Sequence, residues 1–497
     1  MRERLSNFGF TRKSGILMPV SALPGKYGIG SFGAQSFKFI DFLCDCGQRC
    51  WQVLPLNPTA YGDSPYQSPC SFAGNPYFID IDLLKKDGLL TADEAKAEEC
   101  ADAKIDYGKL FERRIPLLKK AFARFKTSSD YIRFKQNNAD WLDDYSLFMA
   151  LKEVNGYKQW TEWGDCKFYD YAKLKRAEYS AECEFWKFVQ YKFFSQYKAV
   201  KKYAKEKGIS IIGDMPIYVA YDSVEVWSDP LSFLLDENLA PKVVAGCPPD
   251  AFSDDGQLWG NPIYDWNKMQ ADGFAWWKKR AERNFKLYDI IRIDHFRGFA
   301  GYYVIPAKDT TAKNGKWQEG VGYPLFDAIT KAVPKAKIIA EDLGHITDDV
   351  RELLAKTGYP GMKVLQFAFT DADNEYLPKN YKSENCVVYT GTHDSMPTKA
   401  WCDSLDDATR KVFERECPQM FGQSPTAAMV ALALGSKANL AVIPIQDYME
   451  LGEQSRINMP STSQGNWTFR VSPRYATSAL KNKILSLTIK SNRTTLL

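Results

Sequence analysis

Short apolar segments recur along the chain, each rich in Ile, Val or Leu and each ending on polar residues. This pattern is typical of strands that are buried on both faces of a parallel sheet. At any one segment, periodicity alone is equally compatible with a short buried helix. We predict eight strands, at Gly15–Ala22, Cys50–Leu56, Ile209–Met215, Ile290–His295, Lys337–Leu343, Met362–Phe369, Cys386–Asp394 and Leu440–Asp447.

Segments with a helical pattern separate many of these strands, among them Gln35–Cys46, Glu184–Lys207 and Pro425–Leu434. Eight strands joined by helical crossovers predict an α/β protein whose core is a (β/α)₈ TIM barrel.

The spacing between the predicted strands is uneven, and the long intervals predict insertions. Residues 58–208 carry Lys- and Glu-rich helical patterns, which predict a mostly helical insertion after the second strand. Residues 216–289 are rich in Pro, Gly, Asp and Trp and predict a loop-rich, substrate-binding insertion after the third strand. Within it, Cys247–Pro262 has the composition of a loop rather than of a helix or strand. We therefore expect residues 1–497 to form one catalytic barrel with two insertions.

The charge and the apolar content of the chain argue against a nucleic-acid partner and against a membrane span. Lys and Arg number 65 and Asp and Glu 61, so the net charge of +4 gives no electrostatic support for nucleic-acid binding. The longest apolar run considered, Ala427–Leu434, is far shorter than the roughly 18 residues that predict a bilayer span.

The N-terminus lacks a signal-peptide pattern, and the 11 cysteines are scattered and odd in number. We expect a cytoplasmic protein with no membrane association, and we predict no protein partner.

The chain has three histidines, His295, His345 and His393. A metal-dependent hydrolase normally needs more imidazoles and closer pairs, so we predict neither a metal nor an organic cofactor. His295 and His393 adjoin acids and are candidates to donate hydrogen bonds to substrate hydroxyls, whereas His345 is interpreted as a loop residue. The cysteines that cluster near the second strand are interpreted as buried thiols, at Cys44, Cys46 and Cys50.

Acidic residues stand repeatedly at the carboxyl ends of the predicted strands, where barrel enzymes place their catalytic groups. Any one of them could instead cap the following helix or face solvent, but several on one rim favour catalysis. These acids are Asp214, Asp294, Glu341, Asp342, Asp394 and Asp447.

Arg292 and Asp294 are two residues apart on one strand, so their side chains share a face. An arginine favours the ionised form of a neighbouring carboxylate, which suits a nucleophile or an electrostatic stabiliser, although a plain buried ion pair fits as well. Glycosidic bond cleavage needs one ionised and one protonated carboxyl group, and Asp294 with an acid of the fifth strand could supply them. Alternation turns Glu341 and Asp342 to opposite sides without deciding their roles.

Aromatic residues mixed with acids and amides are typical of sugar binding, because rings cover the apolar sugar face and polar groups bind the hydroxyls. Two segments have this composition: Tyr61–Tyr66 (YGDSPY) and Gln257–Asn261 (QLWGN). Aromatic residues in loops also serve as packing anchors, so composition alone leaves both uses open.

Nearly the whole chain resembles the amylomaltases or disproportionating enzymes, which are 4-α-glucanotransferases of the α-amylase clan. The resemblance lies in ordered motifs: LPGKYGIGSFG (23–33), WQVLPLNP (51–58), GDSPYQSPCSFAGNP (62–76), GDMPIYVAYDS (213–223), PPDAFSDDGQLWGNPIYDW (248–266), RIDHFRG (292–298), AEDLG (340–344) and THD (392–394).

The resemblance implies a retaining double displacement on α-1,4-glucans, with a glucan donor and a glucose or oligosaccharide acceptor. It implies that Asp294 is the nucleophile, that Glu341 is the general acid and base, and that Asp394 binds sugar hydroxyls and favours ring distortion. It places further residues around the glucose at the cleaved bond, namely Arg292, His295, His393, Asp214 and Tyr66. It also implies that Ser64, Gln257 and Trp259 contact neighbouring sugars.

The sequence departs from the usual family pattern at Ser395–Met396–Pro397 and at Ser461, where Gly is usual. We expect both changes to bear on acceptor preference and rate rather than on the class of reaction. Two other functions remain open: an α-glucan hydrolase with the same acids, and a catalytically silent glucan-binding protein.

Overall fold

The computed structural model of the protein describes residues 12–100, 102–249, 253–344, 346–419 and 422–494. Eight parallel strands form a closed barrel, and four further strands form a separate sheet. In chain order the strands are β1 (Lys13–Leu17), β2 (Cys50–Gln52), β3 (Ser210–Met215), β4 (Val243–Cys247), β5 (Gln257–Pro262), β6 (Ile290–Ile293), β7 (Gly301–Pro306), β8 (Lys316–Glu319), β9 (Ile338–Ala340), β10 (Gly361–Val364), β11 (Cys386–Tyr389) and β12 (Leu440–Pro444).

The barrel strands follow one another around the barrel in the order β1, β2, β3, β6, β9, β10, β11, β12, and β12 closes onto β1. Each neighbouring pair is parallel, and all eight predicted strands are confirmed. Most strands end several residues before their predicted ends, where the chain leaves the ladder and forms the rim. The (β/α)₈ prediction is confirmed, and the predicted catalytic acids lie on or beside this rim.

Helices cover the barrel and fill the interval between β2 and β3. The predicted helices at Gln35–Cys46, Glu184–Lys207 and Pro425–Leu434 are confirmed as α1 (Ala34–Asp45), α7 (Ser180–Glu206) and α15 (Pro425–Gly435). The α-helices are α1 (Ala34–Asp45), α2 (Ile81–Lys86), α3 (Ala92–Ala97), α4 (Tyr107–Arg124), α5 (Ser129–Val154), α6 (Tyr169–Leu174), α7 (Ser180–Glu206), α8 (Val224–Ser228), α9 (Trp266–Ala271), α10 (Ala275–Leu287), α11 (Tyr323–Ala332), α12 (Asp348–Thr357), α13 (Thr398–Asp403), α14 (Asp407–Glu416), α15 (Pro425–Gly435), α16 (Ile445–Tyr448) and α17 (Ser478–Lys490).

Apolar residues of α5 and α7 pack these helices against each other, and aromatic rings contribute to the contact, as where the Tyr145 and Trp186 rings meet edge to face. The division of the chain into a barrel with insertions at 58–208 and 216–289 stays a prediction. Within the described ranges, no helix combines the length and the apolar composition needed to cross a bilayer.

The prediction of loop structure throughout Cys247–Pro262 is wrong. Gln257–Pro262 is strand β5, which pairs antiparallel with β4, and β4 pairs antiparallel with β7. The sheet has the order β5-β4-β7-β8, so β5 lies at an edge, where a strand tolerates Gly and Pro. The strand depends on its pairing partners, which composition does not reveal.

Candidate active site

Three charged side chains meet where β3 and β6 reach the rim. Nη1 of Arg292 donates to both carboxylate oxygens of Asp214, at 2.8 Å each, and to Oδ1 of Asp294 at 2.9 Å. Asp214 and Arg292 are buried, whereas the Asp294 side chain keeps 26% of its surface exposed. The predicted common face of Arg292 and Asp294 is confirmed by this contact. The buried pair therefore holds Asp294 in place and leaves it accessible from the cleft.

Glu341 follows β9, the next strand around the barrel, and is held by the chain that leaves β6. Its Oε2 accepts a hydrogen bond from the backbone N–H of His295 at 2.6 Å. His295 has φ 49° and ψ 50°, a left-handed conformation that is uncommon for a residue with a side chain. This backbone conformation turns the N–H of His295 toward the carboxylate, so local strain coincides with the placement of a predicted catalytic group.

Asp342 faces away from Glu341, as strand alternation requires. Its Oδ1 accepts a hydrogen bond from the backbone N–H of Met362 on β10 at 2.6 Å. The Cβ of a side chain at Gly361 would lie only 2.4 Å from an Asp342 oxygen, so this approach needs a glycine. Asp342 thus ties β9 to β10 and leaves Glu341 as the fifth-strand acid that is directed to the β6 rim.

The third acid, Asp394, belongs to a chain of polar contacts that starts at Asp214. The hydroxyl of Tyr66 donates to Oδ2 of Asp214 at 2.9 Å and lies 2.9 Å from Nε2 of His393. The Tyr66 and His393 rings stack with centroids 5.3 Å apart, and Nε2 of His393 lies 3.3 Å from Oδ2 of Asp394. Residues from β3, from the segment after β11 and from the segment after β2 are therefore joined around one cleft.

The predicted sugar-binding segment of β5 lies against the same rim. The Trp259 ring meets the His295 ring edge to face at 4.9 Å, and its Nε1 donates to Oε1 of Gln257 at 3.0 Å. On the other side of the cleft, Oγ of Ser64 accepts from the backbone N–H of Tyr66 at 3.2 Å. Only the backbone of Tyr61 is described, in a 3₁₀ turn at Tyr61–Asp63, and His345 lies outside the described residues.

Burial gives the two central acids different protonation behaviour. Burial raises the pKa of Asp294 to about 6, and the nearby Arg292 guanidinium opposes that rise. Burial raises the pKa of Glu341 to about 8, with Arg292 opposing and the charge of Asp294 adding to the rise. Near neutral pH this combination keeps Asp294 mainly ionised and Glu341 mainly protonated. Burial also lowers the pKa of His295 to about 3, so its ring is neutral.

The sequence profile of the 4-alpha-glucanotransferase family matches residues 18–477. The chain belongs to this family. The 4-alpha-glucanotransferase of Clostridium butyricum is 46% identical over 483 residues, which cover 95% of this chain and 99% of that protein. The 4-alpha-glucanotransferase of Thermus thermophilus is 43% identical over 481 residues, covering 93% of this chain and 95% of its own.

A solved amylomaltase from Streptococcus agalactiae, in complex with acarbose, superposes with a TM-score of 0.94 at 39% identity. The alignment covers 97% of this chain and 100% of that one. The amylomaltase of Corynebacterium glutamicum superposes with a TM-score of 0.77 at 17% identity, over 99% of this chain and 76% of that one, and shares the fold. The family resemblance inferred from the motifs is confirmed.

This 4-alpha-glucanotransferase family member also has site residues that sequence reasoning missed. Nδ2 of Asn458 donates to Oδ1 of Asp394 at 2.6 Å, and the backbone N–H of Asn458 donates to the His393 carbonyl at 3.1 Å. Gln67 donates to the Trp259 carbonyl at 3.3 Å and to Oδ1 of Asn261 at 3.1 Å. Asn458 lies in the motif RINMPSTSQGNW, so the signal was present, but nothing in the sequence connected it to Asp394.

The family departure after Asp394 has a clear local structure. Oγ of Ser395 accepts a hydrogen bond from the Thr392 backbone N–H at 2.9 Å, and the Met396 carbonyl accepts from Nε2 of Gln366 at 2.8 Å. Pro397 precedes α13 at its N-cap position. The departing residues therefore close the turn that carries Asp394. The second departure, Ser461, has φ 65°, the left-handed conformation that favours glycine.

Among the described residues, no three His, Cys, Asp or Glu side chains gather in a group that could hold a metal ion. The prediction of buried thiols holds for Cys46 and Cys50 but is wrong for Cys44, which is half-buried. Cys44 lies near the end of α1, and its Sγ donates to the Lys207 carbonyl at 3.5 Å.

Proposed function

We propose that this protein transfers α-1,4-glucan segments between maltooligosaccharides, or from them to glucose, through a covalent glycosyl-enzyme. The observation that carries the proposal is the pair of carboxyl groups on adjacent barrel strands, with the pKa of Asp294 at about 6 and that of Glu341 at about 8. A retaining double displacement requires one ionised and one protonated carboxyl group at the same bond. The family membership of the chain supports the choice of substrate.

In the first step the Asp294 carboxylate attacks the anomeric carbon of the donor. The bond between that carbon and the glycosidic oxygen breaks, and Glu341 gives its proton to the departing oxygen, which leaves as the 4-hydroxyl of the released glucan. The product is a glucan ester on Asp294 and an ionised Glu341. Arg292, which donates to Asp294 at 2.9 Å, stabilises the carboxylate before attack and again after release.

In the second step the 4-hydroxyl of an acceptor sugar attacks the same anomeric carbon. Glu341 removes the hydroxyl proton, the ester bond to Asp294 breaks, and a new α-1,4 linkage forms. Two inversions at one carbon retain the α configuration. Both catalytic acids return to their starting protonation states, and the cycle requires no cofactor.

The remaining polar groups bind and orient sugars in this proposal. Asp394, kept in place by Asn458 and next to His393, binds hydroxyls of the glucose at the cleaved bond. The neutral ring of His295 carries one N–H that can donate to a sugar hydroxyl. Trp259 offers an aromatic face to a neighbouring sugar, with Gln257, Ser64 and Tyr61 as further sugar contacts.

Whether sugar or water reaches the glycosyl-enzyme separates a transferase from a hydrolase with the same acids. Incubation with maltotriose, followed by product separation, tests this point. We expect glucose together with a ladder of longer oligosaccharides, and products that are only shorter than maltotriose would contradict transfer. Asp294→Asn is the control, since it should bind glucan without producing the ladder, and full activity after chelation would exclude a required metal.

We also propose that the protein works in the cytoplasm. Ten cysteines are free thiols, which suits a reducing compartment, and they are Cys44, Cys46, Cys50, Cys70, Cys100, Cys166, Cys183, Cys386, Cys402 and Cys417. Rapid alkylation of thiols in freshly broken cells should label unfolded protein at every cysteine, and recovery of disulfide-linked protein would contradict this location.

A further inference from the structure

The edge strand β8 presents an aromatic ring to solvent in a fixed orientation. Trp317 is 41% exposed, although two neighbouring side chains hold its indole ring. The guanidinium carbon of Arg297 lies 3.9 Å from the ring centroid, and the Tyr303 ring meets it edge to face at 5.2 Å and 65°. One face of the ring is therefore covered by a planar cation, while a large part of the ring remains accessible.

The residues around Trp317 favour some ligands of an exposed indole ring over others. A second cation is disfavoured, because the guanidinium already on the ring would repel it across the ring plane. A docking β-strand is disfavoured too, because Lys316 and Glu319 flank the ring on β8 and charged edge strands resist added strands. A neutral ligand with an apolar face and a rim of hydroxyls, as a sugar ring has, satisfies both conditions.

Trp317 lies on the same four-stranded sheet as the cleft residue Trp259. Strands β7 and β8 follow β6, the strand that delivers Arg292 and Asp294 to the rim. In the sheet, Trp317 pairs with Tyr303, Tyr303 with Gly246, and Gly246 with Leu258, the neighbour of Trp259. Three strand spacings of about 4.8 Å separate Leu258 from Trp317, a total of about 14 Å. Adjacent residues of a strand face opposite sides of a sheet, so Trp317 shares its face with Leu258 and not with Trp259. A sugar at the cleaved bond does not reach Trp317, whereas a second part of a long glucan can bind there.

We infer that Trp317 is an accessory binding site for α-1,4-glucan chains longer than those that fill the cleft. The inference rests on the proposed function for the identity of the ligand. The site increases the affinity for polymeric donors and has no effect on short ones. Arg297 and Tyr303 fix the ring, so binding does not require an additional ordering step.

Trp317→Ala tests the site with amylose as the polymeric probe and maltotriose as the short substrate. We expect the wild-type protein to be retarded in native gels that contain amylose, and the variant to lose most of that retardation. Its kcat/KM for amylose should fall roughly five-fold, the effect of one aromatic contact, with maltotriose kinetics unchanged. Trp317→Tyr, which keeps an aromatic ring, should recover most of the binding.

Tyr171→Ala is the matched control, because Tyr171 is also 41% exposed but lies on α6. Trp317→Leu keeps an apolar side chain but removes the flat ring. If this variant is folded and still loses the retardation, the loss is due to missing ring stacking and not to misfolding. Unchanged retardation of Trp317→Ala, or equal loss in the Tyr171 control, would overturn the inference. A wild-type protein that is inactive on maltotriose would refute the proposed function, whereas the gel experiment reports on glucan binding independently of turnover.

Discussion

Two parts of the barrel rim carry buried carboxylates that differ in how completely their oxygens are bonded. After β12, Asp447 is 2% exposed and accepts hydrogen bonds from the Thr390 hydroxyl at 2.5 Å and from the N–H and hydroxyl of Thr398 at 2.8 and 2.6 Å. After β6, Asp294 accepts from Arg292 and keeps a quarter of its side-chain surface open. Burial raises the pKa of both carboxyl groups, Asp294 and Asp447.

The difference separates a structural acid from the acid that we propose as the nucleophile. The oxygens of Asp447 are occupied by donors from the turn after β11 and the start of α13, so this acid joins two segments of the rim. Asp294 retains an accessible oxygen beside a second acid, Glu341, whose pKa is higher. A raised pKa alone therefore does not identify a catalytic group. The combination of a raised pKa with incomplete hydrogen bonding and access from the cleft does so.

The largest expected effect comes from Asp294→Asn. An amide at this position cannot form the glycosyl ester, so kcat for maltotriose disproportionation should fall by about 10⁴-fold or more. Product formation in a discontinuous assay measures the loss. If the variant keeps more than roughly one hundredth of the wild-type rate, Asp294 is not the nucleophile and the comparison with Asp447 loses its basis.

The second effect comes from Glu341→Gln, which removes the proton donor and keeps the shape. With maltotriose, kcat should fall by about 10²–10⁴-fold. With maltosyl fluoride as donor, the first step should be much less affected, because fluoride departs without a proton. The initial burst of fluoride release reports the first step with maltosyl fluoride, and glucose and oligosaccharide formation reports turnover of maltotriose. An equal loss with both donors would show that Glu341 acts in some way other than by proton transfer.

The pH dependence of kcat/KM should be bell-shaped, with limbs near pH 6 and pH 8. Below about pH 6 Asp294 becomes protonated and loses its nucleophilic form, and above about pH 8 Glu341 loses the proton that it must donate. Because the two acids interact, the limbs belong to the pair rather than to either residue alone. With maltosyl fluoride, the alkaline limb should be absent from Glu341→Gln, and its persistence there would assign that limb to another group.

Much of this arrangement could be predicted from the sequence, because it depends on local rules. Period-two alternation correctly places Arg292 with Asp294 and separates Glu341 from Asp342. Buried parallel strands have a recognisable apolar pattern, so all eight could be located. The ends of the strands could not be predicted, because a strand stops where the backbone leaves the hydrogen-bonded ladder and forms the rim.

The features that escaped prediction depend on contacts between distant segments. Tyr66 and Asp214 are 148 residues apart, and although the family resemblance places both around the glucose at the cleaved bond, no local pattern predicts the hydrogen bond between them. Asn458 reaches Asp394 from a segment beyond β12, 64 residues along the chain. Strand β5 exists because β4 pairs with it and is itself held by β7. No local pattern encodes such pairings, so composition predicted a loop there.

Asp447→Asn makes, at the structural acid, the substitution that we expect to inactivate the protein at Asp294. It leaves two hydroxyl donors and one amide donor facing a group that accepts fewer hydrogen bonds. The free energy of unfolding should fall by about 1–3 kcal/mol, measured by urea denaturation, while kcat stays within a few-fold of wild type. A loss of activity as large as that of Asp294→Asn, in a folded variant, would remove the distinction between the two parts of the rim.

The smallest effect concerns the backbone beyond Asn458. Ser461 is exposed and has φ 65°, so a glycine there removes a steric cost but adds freedom to the unfolded chain. The removed steric cost slightly exceeds the added freedom of the unfolded chain. Ser461→Gly should therefore raise the free energy of unfolding by about 0.5 kcal/mol, visible as a small rise in Tm. Ser461→Ala, which retains the Cβ, should give no gain. The family departure at Ser461 alone predicts an effect on rate, but Ser461 contributes no group to Asp394, so kcat should be unchanged in both variants. A change in kcat would show that the turn also controls the position of Asn458.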